Sequence, residues 1–328
     1  MFNNKSILIT GGTGSFGQTC VKYLSQKFKC KKIIIFSRDE LKQFNMQNQY
    51  SNQKNLRFFL GDVRDVERLK LAFRGVDYVI HAAALKHVSL AEYNPLEYIK
   101  TNIYGSSNVV TAAIDAKVKK VIALSTDKAV NPINLYGATK LCAEKIFVDG
   151  NSLSGSQKTK FSVVRYGNVL NSRGSIITLI RKYQNEKKDT FPLTDERMTR
   201  FFISLEDSVK FVMKSLKEMD KGEIFIPKMP SIKIKELIKA ANPKTKIKEV
   251  GIRPGEKIDE LLISKDESSN TVETNNNFII FPKNPHVKSS LFKNYKNKKK
   301  ATSFEYSSKN NKEFLTSKVL SALIKKII

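Results

Sequence analysis

Residues 125–140 read STDKAVNPINLYGATK, which puts Asp127 beside Lys128 and, eight residues after that lysine, Tyr136 four positions ahead of Lys140. A tyrosine and a lysine spaced i, i+4 share one face of a helix. An ammonium near a phenol lowers its pKa from about 10 toward neutrality, where the phenol becomes a usable base. Ser125 or Thr126 stands ready to orient a substrate hydroxyl beside it. That set suits an alcohol giving up its proton while a hydride leaves the same carbon for a nicotinamide. The Asp127–Lys128 pair offers a second acid–base set. A lysine base must first lose its proton; burial and a nearby cation lower its pKa from about 10.4, and an adjacent carboxylate opposes this.

A second constellation lies near the start, where a short apolar run leads into TGGTGSFGQT. Gly11, Gly14 and Gly17 give G-x-x-G-x-x-G at the start of a helix, with Thr13, Ser15 and Phe16 in the same loop. Glycines permit the tight turn and let backbone N–H groups approach a pyrophosphate at the positive helix end. After the second apolar run come Ser37, Arg38, Asp39 and, one helical turn on, Lys42. A hydroxyl and two cations suit a ribose 2′-phosphate and favour NADP, whereas Asp39 would suit the 2′-hydroxyl of NAD. In GDVRD, Asp62, next to Val63, is placed either to receive the adenine amino group or to cap a helix.

These residues need a scaffold. Apolar runs rich in Ile, Val and Phe at 6–10, 32–37, 56–62, 78–84, 120–126 and 161–167 alternate with amphipathic stretches. Strands with little alternation fit a parallel sheet covered on both faces, and regular β–α order predicts an α/β fold with a Rossmann-like, doubly wound parallel sheet. Residues 1–170 are expected to form the NADP-binding domain and 171–265 a smaller mixed α/β substrate-binding region, with helices at 176–187, 206–219 and 232–241. Residues 266–328 are expected to be a polar, basic extension, with a KNKKK run. Near its end Leu315, Val319, Leu320, Leu323, Ile324 and Ile327 form an apolar stripe that either docks on the body or a neighbouring subunit or lies on a membrane.

The formal charge of +27 raises the question of nucleic acid. The basic residues are 47 Lys against 11 Arg, spread along the chain with no recognisable nucleic-acid module, so they read as a solvated surface that draws in an anionic substrate. Three scattered cysteines make no metal pattern, no apolar run spans a bilayer, and no secretion signal precedes the first strand, so a cytoplasmic enzyme without metal is expected. His81 and His87 read as scaffold and cleft wall.

The Tyr-x-x-x-Lys pair, the strand-end Ser-Thr and TGGTGSFG resemble the extended short-chain dehydrogenase/reductase superfamily. More narrowly, SRDELKQF, GDVRD, HAAALKHV, AEYNP, STDKAVNPINLYGATK, RYGNV, SRGS, RMTRF, GEIFIPK, IRPGEK and FEYSS resemble the configuration-inverting UDP-N-acetylglucosamine 4,6-dehydratases, which open pseudaminic acid synthesis. The resemblance implies that Tyr136, held by Lys140, deprotonates the sugar 4-hydroxyl as hydride passes from C4 to NADP. Water is then lost across C5 and C6, and the hydride returns to C6. Related dehydratases carry Asp-Glu where this chain has Asp127-Lys128. By resemblance Lys128 handles the C5 proton and Asp127 assists departure of the C6 hydroxyl, with inversion at C5 giving the L-arabino 4-keto sugar. The same resemblance places Lys86, Asn168, Arg173, Thr194, Arg253 and Glu256 on the UDP-sugar side and Ala82 at the cofactor. It also implies a homo-oligomer, with hexamers among the relatives. Arg197 and Arg200 read equally well as ion-pair residues. Leu170-Asn171 departs from the usual Val-Gly of the relatives. The competing readings are a dehydratase with added 5-epimerase activity, a UDP-hexose 4-epimerase, and a redox-silent NADP-binding regulator.

Overall fold

The computed structural model of the chain describes residues 1–172, 174–295 and 303–327. Arg173, the KNKKK run and the side chain of Ile327 lie outside the described residues. The first half runs β1 Ser6–Thr10, α1 Ser15–Lys27, β2 Lys32–Ser37, α2 Glu40–Gln49, β3 Leu56–Leu60, α3 Val66–Phe73 and β4 Tyr78–His81. It continues through α4 Val88–Tyr93, α5 Pro95–Tyr98, a π-helical turn Ile99–Tyr104, α6 Gly105–Asp115, β5 Lys120–Thr126, a 3-10 turn Asp127–Ala129, α7 Leu135–Leu153 and β6 Lys160–Tyr166. All six strands pair in parallel in the order β3-β2-β1-β4-β5-β6. The order reverses between β1 and β4, and the crevice beyond their carboxyl ends is where such a sheet takes its ligand. Every residue of β1 and β4 is buried, as a sheet covered on both faces demands. The Rossmann-like class expected from the sequence is the one observed.

Two strands stop short of their apolar runs. β4 ends at His81 because the alanines that follow leave the sheet to pass beneath the first glycine turn. Gly11 has φ +65°, and a Cβ added there would lie 2.9 Å from Ala83 Cα. β3 ends at Leu60, where Gly61 packs against the Phe36 ring.

The second half runs β7 Asn168–Val169, α8 Ile176–Asn185, β8 Thr190–Leu193, β9 Thr199–Ile203, α9 Leu205–Glu218, β10 Ile224–Pro227, β11 Ser231–Lys233, α10 Ile234–Ala241 and β12 Lys246–Glu249. Then follow β13 Leu261–Ile263, α11 Lys265–Ser268, β14 Thr271–Glu273, β15 Asn277–Ile280, α12 Leu291–Asn294, β16 Tyr306–Ser307 and α13 Ser317–Ile327. β10 joins β6 in parallel, and β15 and β14 add antiparallel edges, so the sheet has nine strands. The Asn-rich stretch thus hides two strands buried except at Glu273, joined by the polar Thr274–Asn277 turn, where Thr274 Oγ1 donates to Asn277 Oδ1 at 2.8 Å. A second core, with Leu170, Phe191, Phe202, Ile232 and Leu237, lies apart from the main one. Leu320 and Ile324 of α13 are buried in it against α10, which is the docked reading of the terminal stripe. Asn171 has φ +58°, a left-handed backbone that favours glycine and that asparagine tolerates.

Candidate active site

A cleft of about 680 Å³ opens at the carboxyl ends of β1, β2, β4 and β5. Its floor is the β1–α1 loop. Gly11, Thr13, Gly14, Ser15, Phe16 and Gly17 all line it. Gly14 precedes a helix whose first turn holds no acidic residue and whose N-cap supplies no side-chain bond. Its positive end is therefore left to an anion. A Cβ at Gly17 would lie 2.3 Å from Gly12 O, so glycine there lets α1 seat tightly against the loop. The cradle fits a dinucleotide pyrophosphate.

Ser37, Arg38, Asp39, Lys42, Asp62, Val63 and Ala82 border the same cleft. Ser37 Oγ accepts from Thr13 Oγ1 at 3.1 Å. Asp39 caps α2 by accepting from the Lys42 N–H at 2.9 Å, and it also pairs with the Lys42 ammonium. Asp62 caps no helix; Asp65 does that for α3. Burial would raise the Asp62 carboxyl, but hydrogen bonds from Arg64, joined by Arg38 at 3.7 Å, carry it below the ordinary carboxylate value.

The chemical end is built where β5 meets α7. Asn134 caps α7, its Oδ1 accepting from the Gly137 N–H at 2.7 Å. A Cβ on Gly137 would stand 2.2 Å from Lys128 O, so the glycine lets the first turn of α7 close onto the 3-10 turn. That contact brings Tyr136, Thr126 and Lys128 to one wall, and Tyr136, Lys140, Ser125, Thr126 and Lys128 all line the cleft. The Thr126 hydroxyl donates to Asp127 Oδ1 at 3.0 Å, and Thr126 is among the groups that work against the upward shift of the Tyr136 phenol.

Two expectations change in detail. Lys140 Nζ donates to Leu124 O at 2.7 Å, and burial lowers it to about 8, opposed by Glu144. Burial pushes the Tyr136 phenol up to about 12, and Lys128 is the cation that works against this. Asp127, in turn, is wholly buried and sits behind the wall, with Lys128 Nζ at 3.0 Å. Burial raises its carboxyl, and Lys128 opposes.

Lys128 holds a balance its sequence neighbours did not reveal. Its Nζ also lies 3.2 Å from Glu260 Oε1, a buried carboxylate just before β13. Burial disfavours the ammonium, but Asp127 and Glu260 together outweigh it and raise the Lys128 pKa above the ordinary lysine value. Lys128 rests as an ammonium. Glu260 carried no signal of its own beyond its place after GEK, because it meets Lys128 only through tertiary packing.

Lys86 and Asn168 line the cleft, and Asn168 Oδ1 and Ser125 Oγ are buried polar atoms with no hydrogen-bond partner among the described residues. Thr194, Arg253 and Glu256 are not on its walls. They form their own cluster, Thr194 Oγ1 donating to Glu256 Oε2 at 3.0 Å and Arg253 3.9 Å from Glu256 Oε1. Gly255 ties this cluster to α7 by accepting from Asn134 Nδ2 at 2.7 Å. Arg197 pairs with Asp195 at 2.6 Å, and Arg200 donates to the carbonyls of Lys257 and Ile258, each at 2.7 Å, so both are structural cations. His87 lines the cleft. His81 is buried on Thr10 Oγ1 at 2.8 Å, and burial, helped by Lys140, lowers it to about 3, so it stays neutral.

Comparison with known proteins adds four likenesses. Residues 7–282 match the model of a family described as polysaccharide biosynthesis protein. The chain is 53% identical over 329 residues to a UDP-N-acetylglucosamine 4,6-dehydratase (inverting) of Campylobacter jejuni, covering 99% of this chain and 98% of that one. It is 45% identical over 287 residues to a UDP-glucose 4-epimerase of Rickettsia bellii, covering 85% and 84%. The X-ray structure of Pen from Bacillus thuringiensis superposes with a TM-score of 0.91 at 38% identity, covering 100% of both chains.

Proposed function

Because the chain belongs to the polysaccharide biosynthesis protein family, among the inverting UDP-N-acetylglucosamine 4,6-dehydratases, we propose that it removes water from UDP-N-acetylglucosamine and inverts C5. The product is the UDP-linked 2-acetamido-2,6-dideoxy-L-arabino 4-keto sugar that opens pseudaminic acid synthesis. The enzyme is on this reading a cytoplasmic lyase and a homo-oligomer; among the described residues no helix is long and apolar enough to cross a membrane. The observation that carries the proposal is the shared wall of Tyr136, Thr126 and Lys128 beside a dinucleotide cradle.

A nicotinamide dinucleotide held by the Gly11–Gly17 loop would supply the hydride acceptor for C4 and the hydride donor for C6. Tyr136 acts as a phenolate, its own proton given up to solvent before the sugar is oxidised, and receives the proton of the 4-hydroxyl. The 4-ketone makes the C5 hydrogen acidic. Lys128 passes a proton to Asp127, 3.0 Å away, and as a neutral amine takes the C5 hydrogen. The Asp127 carboxyl returns that proton through the Thr126 hydroxyl to the departing C6 oxygen, which leaves as water. Asp127 thus works through its neighbours rather than by touching the sugar. As hydride returns to C6, a solvent proton delivered on the face opposite Lys128 inverts C5, and Lys128 is left as the ammonium it began as. Lys86, Asn168 and Arg173 hold the UDP-sugar, with the Thr194–Glu256–Arg253 cluster at the far rim.

NADP is the preferred dinucleotide. Asp39 is engaged in capping α2 and in its pair with Lys42, whereas Arg38 remains half-exposed at the end of β2. The experiment is incubation with UDP-N-acetylglucosamine in deuterated water and NMR of the product. A 6-deoxy-4-keto sugar deuterated at C5 is expected. A sugar with an intact C6 hydroxymethyl would mean 4-epimerisation instead.

A further inference from the structure

Glu260 touches neither end of the reaction directly, yet its position is over-determined. Its carboxylate is 2% exposed, with Oε1 on Lys128 Nζ at 3.2 Å and Oε2 buried without a hydrogen-bond partner among the described residues. Its backbone is gripped by the C-terminal segment: the Glu260 N–H donates to Ser308 Oγ at 2.9 Å, and the Ser308 N–H donates to Glu260 O at 2.9 Å. Ser308 is itself wholly buried and bonded to Thr199 Oγ1 at 2.7 Å. β16 pairs antiparallel with β13 immediately beyond, with a register shift between Leu261 and Ile263. The FEYSS stretch, some fifty residues downstream of Glu260 in sequence, thereby reaches the catalytic wall.

We propose that Glu260, braced by Ser308, is a positioning residue that holds the Lys128 ammonium between two carboxylates at the edge of the sugar site. Its bearing on turnover rests on the dehydratase reading above; its bearing on Lys128 does not. With Asp127 alone, the Lys128 side chain has one anion behind it and is free to swing along the cleft. With Glu260 opposite, it is fixed from two sides and keeps its proton until Asp127 removes it. The charged and titratable groups facing Lys128 are Asp127 on its own turn, Glu260 and Lys257 from the segment before β13, Arg200 from β9 and Tyr136 from α7. Loss of the Glu260 charge leaves a surplus of cations, so the ammonium releases its proton more readily.

The test is reductive methylation of the intact protein at pH 8, with labelling at Lys128 read by peptide mass spectrometry, in wild type, Glu260→Gln and Ser308→Ala. Glu260→Gln is expected to lower the pH at which Lys128 reacts by about one unit, which raises labelling about tenfold. Ser308→Ala should move it in the same direction by less, and serves alone should Glu260→Gln fail to fold. Turnover of Glu260→Gln should fall about tenfold or more, with its alkaline limb moved to lower pH. Glu260→Asp, which keeps the charge, should restore part of it. Unchanged labelling in the variants overturns the proposal. So does raised labelling with wild-type turnover, because Lys128 would then need no such brace. Since labelling requires no substrate, a wild-type protein that makes a different product would refute the dehydratase reading without touching this one.

Discussion

Lys128 is a cation held by two buried carboxylates, and this arrangement has a cost as well as a use. Replacing it with methionine leaves Asp127 and Glu260 facing one another without it, and breaking such a buried pair costs about 3–5 kcal/mol. Burial works to raise Glu260, but Lys128, Arg200 and Lys257 together hold it below the ordinary glutamate value. Its contribution to stability is therefore present above the unfolded carboxyl's value and lost as pH falls through the folded one. In Lys128→Met the carboxylates titrate upward instead. Chemical denaturation is expected to show a deficit for Lys128→Met that is large at pH 8 and shrinks toward pH 5. A deficit that does not vary with pH would mean that the carboxylates are not charged in the native protein. Tyr136 rests as a phenol with its pKa near 12, so its proton acceptance depends on the charges that close around it in the loaded cleft, Lys128 first among them.

At the scale of elements, the site depends on how closely α7 lies on the turn after β5. Gly137→Ala places a methyl carbon 2.2 Å from Lys128 O, a backbone atom that cannot step aside. A separation of Tyr136 from Lys128 by about 1 Å should lower turnover about a hundredfold, with a stability loss of about 1–3 kcal/mol. Steady-state rates and thermal melts of this variant check both, and near-normal turnover would show that the close approach is not needed. Arg165, fully buried between Glu144 of α7 and Glu267 of α11, ties the same helix to the C-terminal half at 2.6 and 2.9 Å. The six parallel strands, the glycine turn and the Tyr136–Lys140 spacing were legible because each is local: an unbroken apolar run, a loop preceding a helix, one helical turn. Glu260, Ser308 and the β14–β15 hairpin were not. Glu260 and Ser308 act across long stretches of chain, and the hairpin's two strands flank a polar Asn-rich turn that dominates its composition. Asp127 was read correctly as a neighbour of Lys128, but that it turns inward, against the backbone of Gly167, is a matter of packing.

Over the whole molecule, two properties follow from charge. A chain with a formal charge of +27 attracts an anionic nucleotide sugar, and association should slow as salt shortens the Debye length from about 10 Å at 0.1 M. NADP should stabilise the fold by about 2.7 kcal/mol at a hundred times its dissociation constant. NAD at equal concentration should give less, and Arg38→Ser should narrow that difference; equal stabilisation by both would remove the preference. In the proposed reaction Lys128, beside Tyr136, governs the hydrogen on C5. A single turnover of UDP-N-acetylglucosamine by Lys128→Met in deuterated water, following nicotinamide reduction by absorbance and C5 by NMR, tests this. Nicotinamide reduction with no C5-deuterated 6-deoxy sugar is expected; a labelled L-arabino product formed at the wild-type rate would remove Lys128 from the chemistry at C5.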